Sequence, residues 1–165
     1  MIKRYKSIMT LAVVAIIITS CNQSASNKKA AMENVQANAI FPKGEKVPQE
    51  NFTGIAWVNR LVKQDVSGAY SVGNVVFEAG ARTNWHTHPN GQTLIVMDGV
   101  GWYQEKGKPA RSLHKGDVVL IPANTIHWHG AANNNGLTHI AITNLKDGGV
   151  KWLQAVSEEE YNNVK

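Results

Sequence analysis

The residues able to do chemistry in this sequence are its histidines. All six lie between His86 and His139. His86 and His88 are two residues apart, and His127 and His129 repeat that spacing. On an extended chain, positions two apart point to the same face, so each pair aims two imidazoles one way. Gln92 follows His88 across the turn sequence Pro89-Asn90-Gly91. Neutral imidazole is the commonest protein metal ligand. One such pair alone reads as a partly buried polar pair. Two pairs and an amide at a turn read as a metal site in one interior. From Val118 to Leu145 there is no Asp, Glu, Lys or Arg, yet the segment holds His127, His129 and His139. Uncharged strands carrying histidines read as the lining of an interior. His114, beside Lys115 in a polar turn region, reads as exposed.

The elements that must position these residues are short strands. From residue 52, β-branched and aromatic runs alternate with turn signals such as Ala79-Gly80, Asp98-Gly99, Lys106-Gly107 and Lys115-Gly116. Strands are predicted near 53–59, 70–78, 83–87, 93–98, 100–104, 109–113, 117–121, 125–131 and 137–144. Strands recurring about every ten residues imply an all-β sandwich or barrel. Ser157 followed by Glu160 is a capping-box pattern and predicts a short C-terminal helix ending near Val164. Trp85 and Trp128 alternate away from the histidine faces and are expected to pack between the barrel and its cover. Val75, Leu94, Val96 and Ile142 are expected in the core. Arg82 shares the parity of His86, and an ion pair near the barrel rim is the favoured reading for it.

Length and charge narrow the function. The chain has 165 residues, 43% hydrophobic and 18% charged, which suits one globular domain. The formal charge of +5 includes Lys3, Arg4 and Lys6, and without residues 1–20 it falls to +2. No later stretch gathers Lys and Arg into a stripe, so a nucleic-acid partner is not expected. The basic start leads into an apolar run from Ile8 to Ile18, too short for a membrane-spanning helix of about 20 residues and suited to a signal peptide. The run ends in Ile18-Thr19-Ser20-Cys21, and Cys21 is the one cysteine. The tetrad resembles a bacterial lipobox. This implies a signal peptide over 1–20, lipidation at Cys21, and a protein anchored through lipid in the bacterial cell envelope, facing the periplasm or the cell surface. Residues 21–50 read as a flexible tether and 51–165 as the folded domain, with a strand over 38–42 left open.

At the histidines the chain resembles the cupin family. The first cupin motif runs Gly, five residues, His-x-His, three or four residues, Glu, six residues, Gly. Here Gly80, His86, His88, Gln92 and Gly99 occupy those places, with Gln for Glu. The second runs Gly, five residues, Pro-x-Gly, two residues, His, three residues, Asn. Here it reads Gly116, Pro122, Asn124, His127 and Ala131, so the second Gly and the final Asn are replaced. The resemblance implies a small antiparallel β-barrel, or double-stranded jelly roll. It also implies a divalent metal on His86, His88, Gln92 and His127. The runs from Gly80 to Pro89, Gly91 to Val96, His127 to Ala131 and Thr138 to Ile142 resemble bacterial manganese-dependent cupin hydroxynitrile lyases. That likeness implies a further pair, His129 and His139, beside the metal, and favours manganese, with iron second.

With Gln in place of Glu, a divalent ion and its protein ligands carry +2 instead of +1. Such a site is more Lewis-acidic and holds its metal less tightly. The leading reading is a carbon–carbon lyase that cleaves a cyanohydrin, such as mandelonitrile, to an aldehyde and cyanide. His129 or His139 would be the base. The alternatives are a metal-dependent oxygenase or isomerase on another small oxygenated substrate, and a non-enzymatic envelope protein that binds metal or a small ligand. A homodimer or larger homo-oligomer is expected, because barrels of this size leave edge strands and apolar outer faces.

Overall fold

Alternation of apolar and polar residues, interrupted by glycines, folds this chain into two antiparallel sheets that share a strand. The computed structural model describes residues 39–62 and 69–164. The expected signal segment, 1–20, and the expected lipidation site, Cys21, lie outside the described residues. Among the described residues, no helix is long and apolar enough to cross a membrane.

The strands are β1 (Glu45–Lys46), β2 (Phe52–Thr53), β3 (Ala56–Val62), β4 (Tyr70–Phe77), β5 (Arg82–Thr83), β6 (His86–Thr87), β7 (Gln92–Glu105), β8 (Arg111–His114), β9 (Val118–Ile121), β10 (His127–Ala131), β11 (Leu137–Asn144) and β12 (Lys151–Trp152). One short helix, α1 (Glu158–Asn162), follows. The first sheet has the order β1-β3-β4-β11-β7-β9. In the second, β7 lies between β8 and β10. Beyond β10, β5 and β6 lie end to end, with β2 against β5 and β12 against β6. This is the expected all-β jelly roll with a short C-terminal helix.

Three strand expectations change. The Asp98-Gly99 turn signal does not separate two strands. β7 runs unbroken for 14 residues and passes from one sheet to the other there. Gly99 has φ +86°, and a Cβ on it would collide with the Gly136 carbonyl oxygen. That oxygen accepts a hydrogen bond from Val100 N at 3.0 Å, so the close approach holds the bend. The strand expected over 83–87 is two, broken at Asn84 and Trp85. The break inverts parity. Thr83 and His86 face the interior, whereas Arg82 and Trp85 face outward. The strand expected over 53–59 is likewise two, β2 and β3.

Residues 41–50, assigned above to the tether, belong to the folded unit that begins at Phe41. β1 pairs with β3, and the Pro42 carbonyl accepts from the amides of Asn59 and Asn74. Polar composition masked this, because the segment is held mainly by backbone pairing, with Val47 its one side chain packed against the main core.

The interior core is built from both sheets, with Ala56, Val75, Phe77, Leu94, Val96 and Leu137 among its members. Ile142 alternates to the outer face and is only half-buried. That outer face carries exposed apolar side chains, Leu120 (78%) and Val118 (54%). A second core lies on the outer face of the second sheet, where Trp85, Trp128, Val156 and Tyr161 pack together. The C-terminal segment is thus the cover over the two tryptophans. All five residues of β10 are buried, because the interior closes one face of that strand and this segment the other.

Several polar contacts pin the cover. Arg82, 3% exposed, donates to Glu158 Oε1 at 2.6 Å and to the Val156 carbonyl at 3.1 Å, and lies over the Tyr161 ring. The Tyr161 hydroxyl donates to the Ala131 carbonyl at 2.7 Å. Ser157 and Glu160 form the expected capping box. Burial pushes the Glu160 carboxyl up, but Lys106, the Ser157 N–H and the Trp85 indole outweigh it and hold the carboxyl at about 2. A depressed carboxylate stabilises the fold above its ordinary pKa and loses that contribution as pH falls toward its folded value. Glu160→Gln should therefore lower stability at pH 7 by ~1 kcal/mol, after screening of this partly exposed group. Urea unfolding at neutral pH should resolve the loss, and the gap between variant and parent should close as pH falls toward 2.

Candidate metal centre

The centre is built where the strands β6 and β10 run side by side. His127 pairs directly with His86, and their ring centroids are 4.1 Å apart. His88 follows immediately after β6, with its ring 5.1 Å from His86 and 5.7 Å from His127. The turn beyond it is closed by Gly91 N donating to the His88 carbonyl at 3.2 Å. Gly91 has φ +75°, and a Cβ there would strike the Ile121 carbonyl. This turn starts β7 at Gln92, which is buried on the same face as Leu94 and Val96.

Each of the three expected imidazole ligands is oriented by a backbone carbonyl. His86 Nδ1 lies 2.9 Å from the Asn84 carbonyl, His127 Nδ1 2.9 Å from that of Thr125, and His88 Nδ1 3.0 Å from that of Gly149. A carbonyl can only accept, so Nδ1 carries the proton and Nε2 keeps its lone pair. The Gln92 amide is fixed in the same way. Its Nε2 donates to Thr143 Oγ1 at 3.0 Å, which leaves Oε1 as the free acceptor. His88 Nε2, His127 Nε2 and Gln92 Oε1 are buried and have no hydrogen-bond partner. Buried acceptors without partners are uncommon, and three on one expected ligand set are what a cation would satisfy. Histidine nitrogen with a neutral amide oxygen suits a divalent transition metal.

His129 enters this set more closely than the sequence suggests. Ligand nitrogens of His86, His127 and His129 all lie within 4.8 Å of one another. Behind it stands His139, contributed by β11 of the opposite sheet, with its Nε2 3.2 Å from His129 Nδ1. This contact joins the two sheets across the interior. The main-chain N–H of His129 donates to Thr83 Oγ1 at 3.2 Å.

Burial dominates the electrostatics. It depresses all five imidazoles, with His127 and His139 lowered to about 4. For His86 the neighbouring His127 adds to the effect, and for His129 the neighbouring His139 does. All five are therefore neutral at pH 7, the form that can bind a metal or accept a proton. His114 is exposed and lies away from them.

Sequence reasoning did not identify the supporting shell of Asn84, Thr125, Gly149, Thr83 and Thr143. No motif signals a backbone carbonyl, and only register places Thr143 opposite Gln92. The replacements in the second motif now have a physical reading. Asn124 has φ +58°, a left-handed conformation that Asn tolerates better than other side chains, and its N–H donates to the His88 carbonyl at 2.8 Å. Ala131, where the motif has Asn, is fully buried against the core.

Comparison with known proteins bears on this arrangement. Residues 73–143 match the family model described as Cupin domain. The chain is 44% identical over 117 residues to (R)-mandelonitrile lyase of Granulicella tundricola, covering 70% of this chain and 89% of that protein. The crystal structure of a cupin-like protein from Thermotoga maritima is 51% identical, with a TM-score of 0.75, and the match covers 78% of this chain and 98% of that one. A cupin 2 conserved barrel protein from Rhodopseudomonas palustris shares the fold at 18% identity and a TM-score of 0.57, over 70% of this chain and 78% of its own. Relative, family model and fold agree with the motif residues around the histidines, and on these grounds the chain belongs to the cupin superfamily.

Proposed function

We propose that this protein is a metal-dependent carbon–carbon lyase that cleaves cyanohydrins, mandelonitrile among them, to an aldehyde and cyanide. The observation that carries the reading is the buried His129–His139 pair set beside three unpartnered ligand atoms. A site that only bound metal would not need a second pair of neutral imidazoles in contact with it. The 44% identical relative named (R)-mandelonitrile lyase supports the same reaction class.

His86, His88, Gln92 and His127 would hold the ion, with manganese favoured and iron second. A bound divalent ion would supply Lewis-acid stabilisation of the oxygen or cyanide anion. The remaining chemistry falls to the protein. In the tautomer that this reaction requires, His129 donates its Nδ1–H to His139 Nε2 and presents its own Nε2 as a base. Nε2 takes the hydroxyl proton of the cyanohydrin. The electrons of that O–H bond form the carbonyl, and the C–CN bond breaks with its electron pair leaving on cyanide. His139 keeps the tautomer of His129 and disperses the charge that forms on it. Desolvation keeps both rings neutral before the proton moves.

Metal analysis of the purified chain, with a mandelonitrile cleavage assay run with and without chelator, tests the reading. His88→Ala removes one of four protein ligands, so it should lose most bound metal and nearly all activity. Full metal occupancy in that variant would overturn the ligand set. His129→Ala should retain metal and lower turnover by on the order of 10²–10⁴-fold. Unchanged turnover would move the base elsewhere, and loss of metal would make His129 a ligand.

Gln92→Glu probes the charge of the site. The substitution keeps the oxygen ligand and lowers the net charge by one unit. Metal retention on dialysis should hold or rise, while cyanohydrin cleavage should slow. Faster cleavage with weaker retention would contradict the electrostatic argument.

We further propose that the domain is tethered outside the cytoplasm through acylated Cys21, and that it assembles as a homo-oligomer. The exposed Leu120 and Val118 are the apolar surface such an assembly would bury. Cys21→Ser should release the protein from the membrane fraction. A variant that still fractionates with membranes, processed like the parent, would remove the lipid anchor from the proposal.

A further inference from the structure

Two half-buried aromatic side chains beside the histidines have no part in the chemistry described so far. Phe52 and Trp152 stand on β2 and β12, the outermost strands of the second sheet. Phe52 pairs with Thr83, and Trp152 pairs with His86. Directly opposed residues share a face, so both rings lie on the interior side with the histidines. Their centroids are 5.5 Å apart, with ring planes at 58°. The Trp152 ring lies 4.9 Å from His86. Phe52 leads on to Phe77 of the opposite sheet at 6.1 Å, and Phe77 lies 5.9 Å from His129 and 5.7 Å from His139. One aromatic wall therefore runs from a ligand imidazole to the His129–His139 pair.

The wall is not uniformly buried. Phe77 is 1% exposed, whereas solvent reaches both Phe52 and Trp152. A ring placed against them would remove apolar surface from water and gain the edge-to-face contact that aromatic pairs prefer. An aliphatic group of two or three carbons would gain much less.

We propose that Phe52 and Trp152 determine specificity by receiving the aryl group of the substrate while its hydroxyl faces the histidines. The inference rests on the lyase reading above. It also bears on stereochemistry. A carbon with four different substituents is fixed only by three separate contacts. The histidine side contacts the oxygen and the cyano group, and the wall supplies the third contact. Without it, aryl and hydrogen exchange places with little penalty.

The test uses the full, metal-loaded chain and two readouts. Benzaldehyde and acetaldehyde binding is measured by calorimetry for the parent, Trp152→Ala and Trp152→Phe. Trp152→Ala should weaken benzaldehyde binding roughly tenfold and leave acetaldehyde unchanged, and Trp152→Phe should restore most of the loss. In the reverse reaction of benzaldehyde with cyanide, Trp152→Ala should erode the enantiomeric excess of the product while metal content stays constant. Trp152→Leu keeps apolar bulk without an aromatic face and serves if the alanine variant does not fold. Benzaldehyde binding and enantiomeric excess unchanged in Trp152→Ala or Trp152→Leu would overturn the proposal. A parent that binds benzaldehyde through Trp152 but never cleaves mandelonitrile would overturn the lyase reading and leave the wall standing.

Discussion

Five imidazoles share an interior almost closed to water, and the surrounding structure is arranged around keeping them uncharged and oriented. An imidazolium there would lose its hydration, and the one carboxylate that acts on any of the five, Glu105 on His127, is outweighed by that loss. Burial accordingly depresses every one of the five. A neutral imidazole still has one N–H to satisfy. For His86 and His127 the acceptor is the carbonyl two residues earlier, at Asn84 and Thr125. The same local device at the start of two neighbouring strands fixes both tautomers and turns both Nε2 atoms toward the centre. His88 lies beyond its strand and takes its acceptor from Gly149, far along the chain.

Rigidity at the histidines depends on β10, which carries His127 and His129 and is enclosed on both faces. Inside lies the core shared by the two sheets. Outside lie Trp85, Trp128, Val156 and Tyr161. Arg82 and the Tyr161 hydroxyl clamp the C-terminal segment to this sheet through Glu158, the Val156 carbonyl and the Ala131 carbonyl. The short helix is thus a closing element for the strand that carries His127 and His129. Its five residues would not form a stable helix alone, so the capping box and the packing of Tyr161 must hold it.

The contact between His129 and His139 links the two sheets across the interior. His129 comes from the second sheet and His139 from the first. Their distance is therefore set by how the sheets close on one another, which depends on the bend of β7 at Gly99. A side chain at that glycine would disturb the His129–His139 contact without touching either histidine.

Much of this was legible in the order of residues. Same-face placement within each His-x-His pair follows from the period of two, and the uncharged stretch around His127 and His139 marks an interior. The capping box at Ser157 and Glu160 is a local pattern and appeared as such. What sequence could not decide depends on residues distant along the chain. The parity of Arg82 relative to His86 was inverted by a break at Asn84 and Trp85, where a single Asn with no Gly or Pro beside it is a weak turn signal. Asp98-Gly99 has the chemistry of a turn, yet its glycine serves a bend held by the Gly136 carbonyl. Glu45 and Lys46 look like tether and become strand because β3 offers an edge. Thr143 beneath Gln92, and Trp152 beside His86, are placed by register between strands about 50 and 65 residues apart. Residue types and local spacing determined which groups could do chemistry here. Only tertiary pairing decided which carbonyl orients His88 and which aromatic ring faces His86, because those contacts join segments with no local signal of one another.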